Sequence, residues 1–299
     1  MTEILLPLAI AFILFTLGLG LSLDDFRRVV VMPRGVTIGL VNLIILSPLM
    51  AFALAVVFNL DPVMAVGLVL LGASPGGALA NMLTHLAKGE TALSVTMTAI
   101  SSITAVVTIP LFFTLANDYF GAGASLAVSE MWSVVLRTFL ITVVPLSLGM
   151  YVRSRAPEAV EAKRSTLSKV AVGVFIVVVL GAVASEWDLI RDNFTRVAAA
   201  ALALNLVAMT VSFTVSKVAR LSDRQATAIS LELGVHNGTV AIAVATIISS
   251  VSPDIGEALV IPAAVYSLFQ FATGGTFAWL MARRNTRNAA EAPASAEAA

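Results

Sequence analysis

The sequence predicts an all-α polytopic membrane protein with nine transmembrane helices in two inverted repeats. Three observations carry that prediction. Apolar runs near the length of a bilayer crossing recur along the whole chain. Only 12% of the 299 residues are charged, against about 25% in soluble domains, and 59% are hydrophobic. Finally, two of the apolar runs are broken by Gly, Pro and Asn at corresponding places. The short alternating segments of a β-barrel are not seen.

The spans are read as Ile4–Leu23, Gly35–Phe58, Pro62–Ala87, Glu90–Ala116, Met131–Arg153, Leu167–Ser185, Arg196–Val218, Ala226–Val251 and Ala258–Met281. The first lacks a basic leading region and a small-residue cleavage site, so it is expected to be a retained helix rather than a signal peptide. The third and eighth are interrupted, near 74–78 and 233–238, and the others are expected to be continuous. Spans one to four and six to nine then form two groups of opposite orientation, each broken at its third member, with span five as an extra helix. The tail Asn285–Ala299 is small and polar and is expected to be disordered. Residues 1–284 form a single transmembrane domain.

Positive charge orients the chain. Arg27, Arg28, Arg34, Lys88, Arg153, Arg155, Lys163, Arg164, Lys169, Lys217, Arg220, Arg224, Arg283, Arg284 and Arg287 all fall on one side. Arg191 and Arg196 fall on the other, and Arg137 lies inside span five, where it is expected to snorkel outward. The N-terminus is therefore expected outside and the C-terminus in the cytoplasm, in the cell's inner (plasma) membrane. A formal net charge of zero argues against a nucleic-acid partner; the partners expected are the lipid bilayer and a small organic anion. The chain has no cysteine, which removes disulfides and thiolate metal sites.

The chemistry concentrates at the breaks. In the first, Ser74-Pro75-Gly76-Gly77-Ala78, proline removes a donor and the glycines let the chain reopen as a second half-helix. The start of such a half-helix presents free N–H groups at the midplane, which suits an anion. Gly76, Gly77, Ala78 and Asn237 are the candidate substrate residues there, with Gln270 as a wall and Thr273 beside it. In the second break, Glu232 is the only acid of its span. An ionisable residue at that depth is functional by default. Ser94 and Thr98 share one helix face. Together with the Asn81 amide oxygen and a Glu232 oxygen they offer hard ligands for a small cation. Taken singly, each hydroxyl reads equally as helix glue. Unwound carbonyls of Leu233, Gly234 and Val235 add further ligands, and His236 stands at the break as a neutral imidazole or a titrating ligand. His85 is expected to be structural.

At these motifs the chain resembles the bile acid:sodium symporter family. The resemblance rests on Gly18–Phe26 (GLGLSLDDF), Ser74–Asn81 (SPGGALAN), Gly89–Thr98 (GETALSVTMT) and Glu232–Gly238 (ELGVHNG). It implies a core domain in which two discontinuous helices cross, a panel domain, and sodium-driven uptake of an organic anion by alternating access. It implies Na⁺ as coupling ion, with no organic cofactor. A first Na⁺ site maps onto Asn81, Ser94, Thr98 and Glu232. A second maps onto Glu232, the carbonyls of Leu233 and Val235, and His236. The chain departs from the family pattern at Ala80 (serine), His236 (glutamine) and Leu43 (glutamine, with Asn42 adjacent). A proton-coupled or uncoupled organic-acid transporter using Glu232 and His236 is the alternative. A membrane-embedded enzyme would need a third partner beside that pair.

Overall fold

The computed structural model describes residues 2–22, 24, 27, 31–123, 128–185, 187–252, 255 and 257–296. Leu23, Asp25 and Phe26 of the first motif, Arg28, and the last three residues of the tail lie outside them. The described residues are all-α. They contain no β-strand, only one isolated antiparallel bridge between Gly76 and His236.

The helices run in order α1 (Thr2–Gly18), α2 (Pro33–Val41), a π-helical stretch (Asn42–Leu46), α3 (Ser47–Val57), α4 (Pro62–Gly72), α5 (Ala78–Leu86), α6 (Thr91–Phe120), α7 (Val128–Arg155), α8 (Pro157–Ser185), α9 (Trp187–Val218), α10 (Asp223–Gly234), α11 (Gly238–Val251) and α12 (Ile261–Ala296). Among the described residues, four stretches are each long and apolar enough to cross a membrane: Pro33–Val57, Thr91–Phe120, Thr195–Val218 and Ala258–Arg287. α6 shows why. Ile103, Val107, Leu111 and Leu115 form one exposed apolar stripe, while Ser94, Thr98, Ala105, Ile109 and Phe113 form the buried one. A helix with apolar residues on both its buried and its outer face suits a lipid surround.

The chain leaves helical geometry between Gly72 and Ala78 and again between Gly234 and Gly238. α4 has 11 residues and α10 has 12. At about 1.5 Å per residue, each reaches roughly half of a ~30 Å hydrocarbon layer. Both half-helices are entered through the same local device. Asn59 (φ 47°) and Arg220 (φ 57°) take left-handed conformations after the preceding helix. The next amide then bonds back across the helix end, Leu60 N to Ala55 O (3.1 Å) and Leu221 N to Ser216 O (2.9 Å). Each of these leucines is buried, and each is followed by a polar cap. Asp61 Oδ1 accepts from Val63 N, whereas Ser222 and Gln225 form a reciprocal capping box. Thereafter every residue from Met64 to Gly72 and from Ala226 to Gly234 is buried, so the two half-helices lie at the centre of the bundle.

Five spans differ from expectation: the helices of the sixth and seventh begin early, at Pro157 and Trp187, and three others differ for visible reasons. The second is not a continuous α-helix: Ser47 N bonds Asn42 O across a π turn. The reason lies at Pro48, which has no N–H for the Ile44 carbonyl and whose ring crowds it; a π-bulge absorbs the misfit. The first helix ends at Gly18, short of Leu23, and Leu19 and Gly20 turn back onto it. There α1 packs hard on α7, for a Cβ at Gly149 would sit 2.2 Å from Phe15 O. The Arg153 guanidinium donates to Gly20 O, satisfying a carbonyl at the end of α1. The last helix runs well past Met281, through Ala296, into the tail expected to be disordered. Its first turn beyond the span is held by contacts. Asn285 is buried, with Nδ2 donating to Ala87 O (2.9 Å) and Thr227 Oγ1 (3.2 Å).

Arg284 Nε donates to Asp223 Oδ2 at 2.8 Å, and Lys217 Nζ reaches Asp223 Oδ1 at 2.5 Å. Partial burial alone would raise the Asp223 carboxyl; the hydrogen bonds and charges of Lys217 and Arg284 outweigh it and hold the group below its ordinary value. Asp223 lies just outside the span beginning at Ala226. It ties α9, α10 and α12 together at the end that carries most of the Lys and Arg.

Candidate cation site at the helix crossover

The two breaks touch through their backbones. Gly76 and His236 form the antiparallel bridge, and Asn237 N donates to Pro75 O at 2.9 Å. Extended backbone inside a dry bundle needs partners for its polar groups, and the two segments supply them to each other. At the far side of the bridge α11 restarts with Asn237 as its cap, its Oδ1 accepting from Val240 N. The start of α5 has no side-chain cap.

Glu232, one turn before the second break, is fully buried. Ser94 Oγ lies 2.6 Å from Glu232 Oε1 and 2.8 Å from Asn81 Oδ1. Thr98 Oγ1 lies 3.0 Å and 3.1 Å from the two Glu232 oxygens and 3.2 Å from Asn81 Oδ1. The two hydroxyls thus each bridge the other two candidates, Asn81 and Glu232. Ser94 and Thr98 come from successive turns of α6, Asn81 from the first turn of α5, and Glu232 from the end of α10. The carboxylate also lies against the first break: a Cβ at Gly76 would fall 1.6 Å from Glu232 Oε2. Only glycine leaves room for the acid, which gives Gly76 a specific role distinct from backbone freedom. With Glu232 ionised, these contacts place more oxygens together than their hydrogens can serve. Two hydroxyls carry two protons, yet they stand within hydrogen-bond distance of both Glu232 oxygens and the Asn81 oxygen.

The second group of candidates is arranged differently. His236 Nε2 lies 3.0 Å from Ser47 Oγ, on the turn following the π-helical stretch, and its Nδ1 is buried without a well-formed hydrogen bond. The Gly234 carbonyl, one of the three expected to lie open, is already taken. It accepts from Asn205 Nδ2 at 2.5 Å and from the Tyr266 hydroxyl at 2.9 Å. Among the described residues no hydrogen bond reaches the Leu233 carbonyl, while the Val235 carbonyl faces the Gly77 N–H across the Gly76–His236 bridge. Leu43 is an apolar core residue, while Asn42 beside it is buried with Nδ2 unpartnered. Ala80 is fully buried and brings no oxygen.

Of the substrate candidates, Gly76, Gly77, Asn237 and Gln270 are buried and Ala78 is exposed. Gln270 Oε1 has no hydrogen-bond partner. Thr273 bonds its own turn at Phe269 O and lines an apolar cleft of about 330 Å³ between α9 and α12, with Met209 and Phe277. A more polar cavity of about 470 Å³ lies at the other end, among Asn59, Asp61, Tyr119 and Arg196. Gln270 lines neither cavity. His85 is exposed, and Arg137 is exposed with its guanidinium 3.3 Å from Ser250 Oγ.

Ser47, Asn205 and Tyr266 were not singled out from the sequence. A signal was available for Asn205 and Tyr266: each puts a hydrogen-bonding group in an otherwise apolar stretch at bilayer depth, where such groups need partners.

Comparison with known proteins agrees with the motif reading. Residues 7–193 match the model of the Sodium Bile acid symporter family. The chain is 30% identical over 268 residues to the "Uncharacterized sodium-dependent transporter YocS" of Bacillus subtilis (strain 168), covering 89% of this chain and 79% of that one. It is 28% identical to a "Probable sodium/metabolite cotransporter BASS1, chloroplastic" of Arabidopsis thaliana, over 77% of this chain and 56% of the plant protein. It is 23% identical to the "Ileal sodium/bile acid cotransporter" of Homo sapiens, over 98% of this chain and 83% of that one. The chain belongs to the sodium bile acid symporter family and, like the relatives it matches, is a multi-pass membrane transporter, not an enzyme.

Proposed function

We propose that this protein is a symporter that couples Na⁺ entry to import of a small organic anion by alternating access. The observation that carries the proposal is the buried oxygen cluster of Asn81, Ser94, Thr98 and Glu232. Its oxygens are hard, close together and, with Glu232 ionised, short of protons. A small hard cation among them relieves that conflict and stabilises the ionised carboxylate. The names of the relatives support the ion: one is a sodium-dependent transporter and others are sodium cotransporters.

Two inverted groups of four spans, with the crossing helices in a core and the remainder in a panel, form the architecture of this reading. The matched entries at Asn59–Asp61 and Arg220–Ser222 support it, since the same left-handed residue, buried leucine and cap precede each break. The substrate lies near the starts of α5 and α11, at Gly76, Gly77, Ala78 and Asn237, with Gln270 as a wall. Its unpartnered Oε1 supports that place. The cytoplasmic C-terminus in the inner membrane rests on the Lys/Arg asymmetry.

Reconstituted protein tests the proposal. Proteoliposomes with an inward Na⁺ gradient should accumulate an organic acid selected by thermal-shift screening, and K⁺ at the same pH should not substitute. Glu232→Ala should abolish this while the protein remains folded in the bilayer. Equal uptake in Na⁺ and K⁺, or Na⁺-driven uptake by Glu232→Ala, overturns it.

A further inference from the structure

Gly234 ends α10, and a helix end leaves its last carbonyls without partners. In a membrane interior such groups are costly unless something serves them. Here the service is uneven. Gly234 O receives two donors, Asn205 Nδ2 from α9 and the Tyr266 hydroxyl from α12, and so has both lone pairs engaged. Of the carbonyls on either side, Leu233 O receives no donor among the described residues, and Val235 O faces only the Gly77 N–H across the bridge, which leaves it one lone pair. Both donors are fully buried. Asn205 holds this arrangement at a cost: its Oδ1 makes no well-formed hydrogen bond, the neighbouring Tyr266 hydroxyl being turned onto Gly234 instead. Burying an unserved acceptor is unfavourable. An ordinary helix cap would spread its donors over the free carbonyls rather than double them on one. Met209 reinforces the clamp by filling the space over Gly234, where a Cβ would meet its Cγ at 2.0 Å.

We propose that Asn205 and Tyr266 are positioning residues for cation binding. They turn the Gly234 carbonyl toward α9 and α12, saturate it, and leave the Leu233 carbonyl and the remaining lone pair of the Val235 carbonyl, on residues flanked by Glu232 and His236, to hold an ion. The inference rests on the cation reading above and adds to it two residues from spans that contribute no ligand. It also makes α9 and α12 report on the ion, because the carbonyl they grip belongs to the residue between its candidate ligands.

The test uses the full-length protein in nanodiscs and proteoliposomes. Tyr266→Phe keeps the ring and removes one donor; Asn205→Leu removes the other at similar volume. Each variant should raise the Na⁺ concentration for half-maximal uptake by about 3- to 10-fold, the range for a lost neutral hydrogen bond. The KM for the organic anion at saturating Na⁺ should stay unchanged. Na⁺-induced thermal stabilisation should shift by the same factor. If either variant fails to fold, the other and the Na⁺ titration of its melting temperature decide. A melting temperature lowered equally with and without Na⁺, at unchanged half-maximal Na⁺, overturns the proposal and leaves only a structural clamp. Glu232→Gln runs in parallel: wild-type Na⁺ stabilisation in that variant would refute the cation site itself, independently of the clamp.

Discussion

Replacing Gly76 with alanine adds one methyl group at the most crowded point of the crossover. The new Cβ would sit 1.6 Å from Glu232 Oε2 and 2.7 Å from its Cδ. Gly76 lies outside the left-handed region, so alanine meets no backbone strain there and the effect is purely one of space. The backbone cannot withdraw easily, because the Gly76–His236 bridge and the Asn237 N–Pro75 O bond pin it. The carboxylate must therefore move by well over an ångström. Its contacts with Ser94 (2.6 Å) and Thr98 (3.0 and 3.1 Å) do not survive such a shift intact. A hydrogen bond to a charged group contributes about 1.5–3 kcal/mol, so losing one weakens Na⁺ affinity roughly 10- to 150-fold. Gly77→Ala is the matched control. Its Cβ would meet only Asn237, at 3.6 Å, an ordinary contact. The assay is the Na⁺ dependence of uptake in proteoliposomes, with Na⁺-induced thermal stabilisation as a second readout. Half-maximal Na⁺ within twofold of wild type for Gly76→Ala, or equal damage from Gly77→Ala, would refute the reasoning.

Three further expectations follow from the same geometry. Ser94→Ala and Thr98→Val should each raise half-maximal Na⁺, and the double variant should lose less than the two single losses combined, because both hydroxyls serve the same two acceptors; strict additivity in a double-mutant cycle would contradict a shared site. Asp223→Asn should lower the melting temperature at neutral pH. The folded carboxyl sits below its ordinary 3.8, so its contribution is present above that pH and disappears as pH falls through the depressed value; a difference from wild type that does not shrink as pH falls below 3.8, or that is absent at pH 7, would contradict the ion-pair account. Gly149→Val should separate α1 from α7 and destabilise the protein by about 1–3 kcal/mol or more, since Phe15 O and Leu19 N already lie where a side chain would go; an unaltered melting temperature would show that the close packing is dispensable.

Much of the crossover was legible because its parts are chemically rare for their setting. A single acid in an apolar span, two hydroxyls one turn apart, and Gly-Pro or Gly-Asn breaks at matching places have few ordinary explanations at bilayer depth. The structure places the Ser94 and Thr98 hydroxyls each within hydrogen-bond distance of both Asn81 and Glu232. Ser47 was not legible, since most serines in such helices bond their own preceding turn, as Ser102, Ser230 and Ser267 do here. Its reach to His236 depends on the π-bulge, and a bulge depends on how one carbonyl yields to Pro48. Asn205 and Tyr266 escaped for another reason: their acceptor is a main-chain carbonyl, and main-chain acceptors leave no trace in residue type. The continuation of the last helix past Met281 depends on Arg284 and Asn285 meeting partners far away in sequence, Asp223 and Ala87. Local composition carries no sign of such partners.

The seam between the two fractured helices is stitched in main-chain atoms, so its strength is indifferent to which side chains flank it. Four half-length rods are thereby riveted at their inner ends into one carriage, and under the proposed symport mechanism an ion lodged beside the rivet would travel with all four. The same construction should make the Asn237 amide one of the slowest to exchange with heavy water, despite its place in a stretch that secondary structure alone would mark as loose.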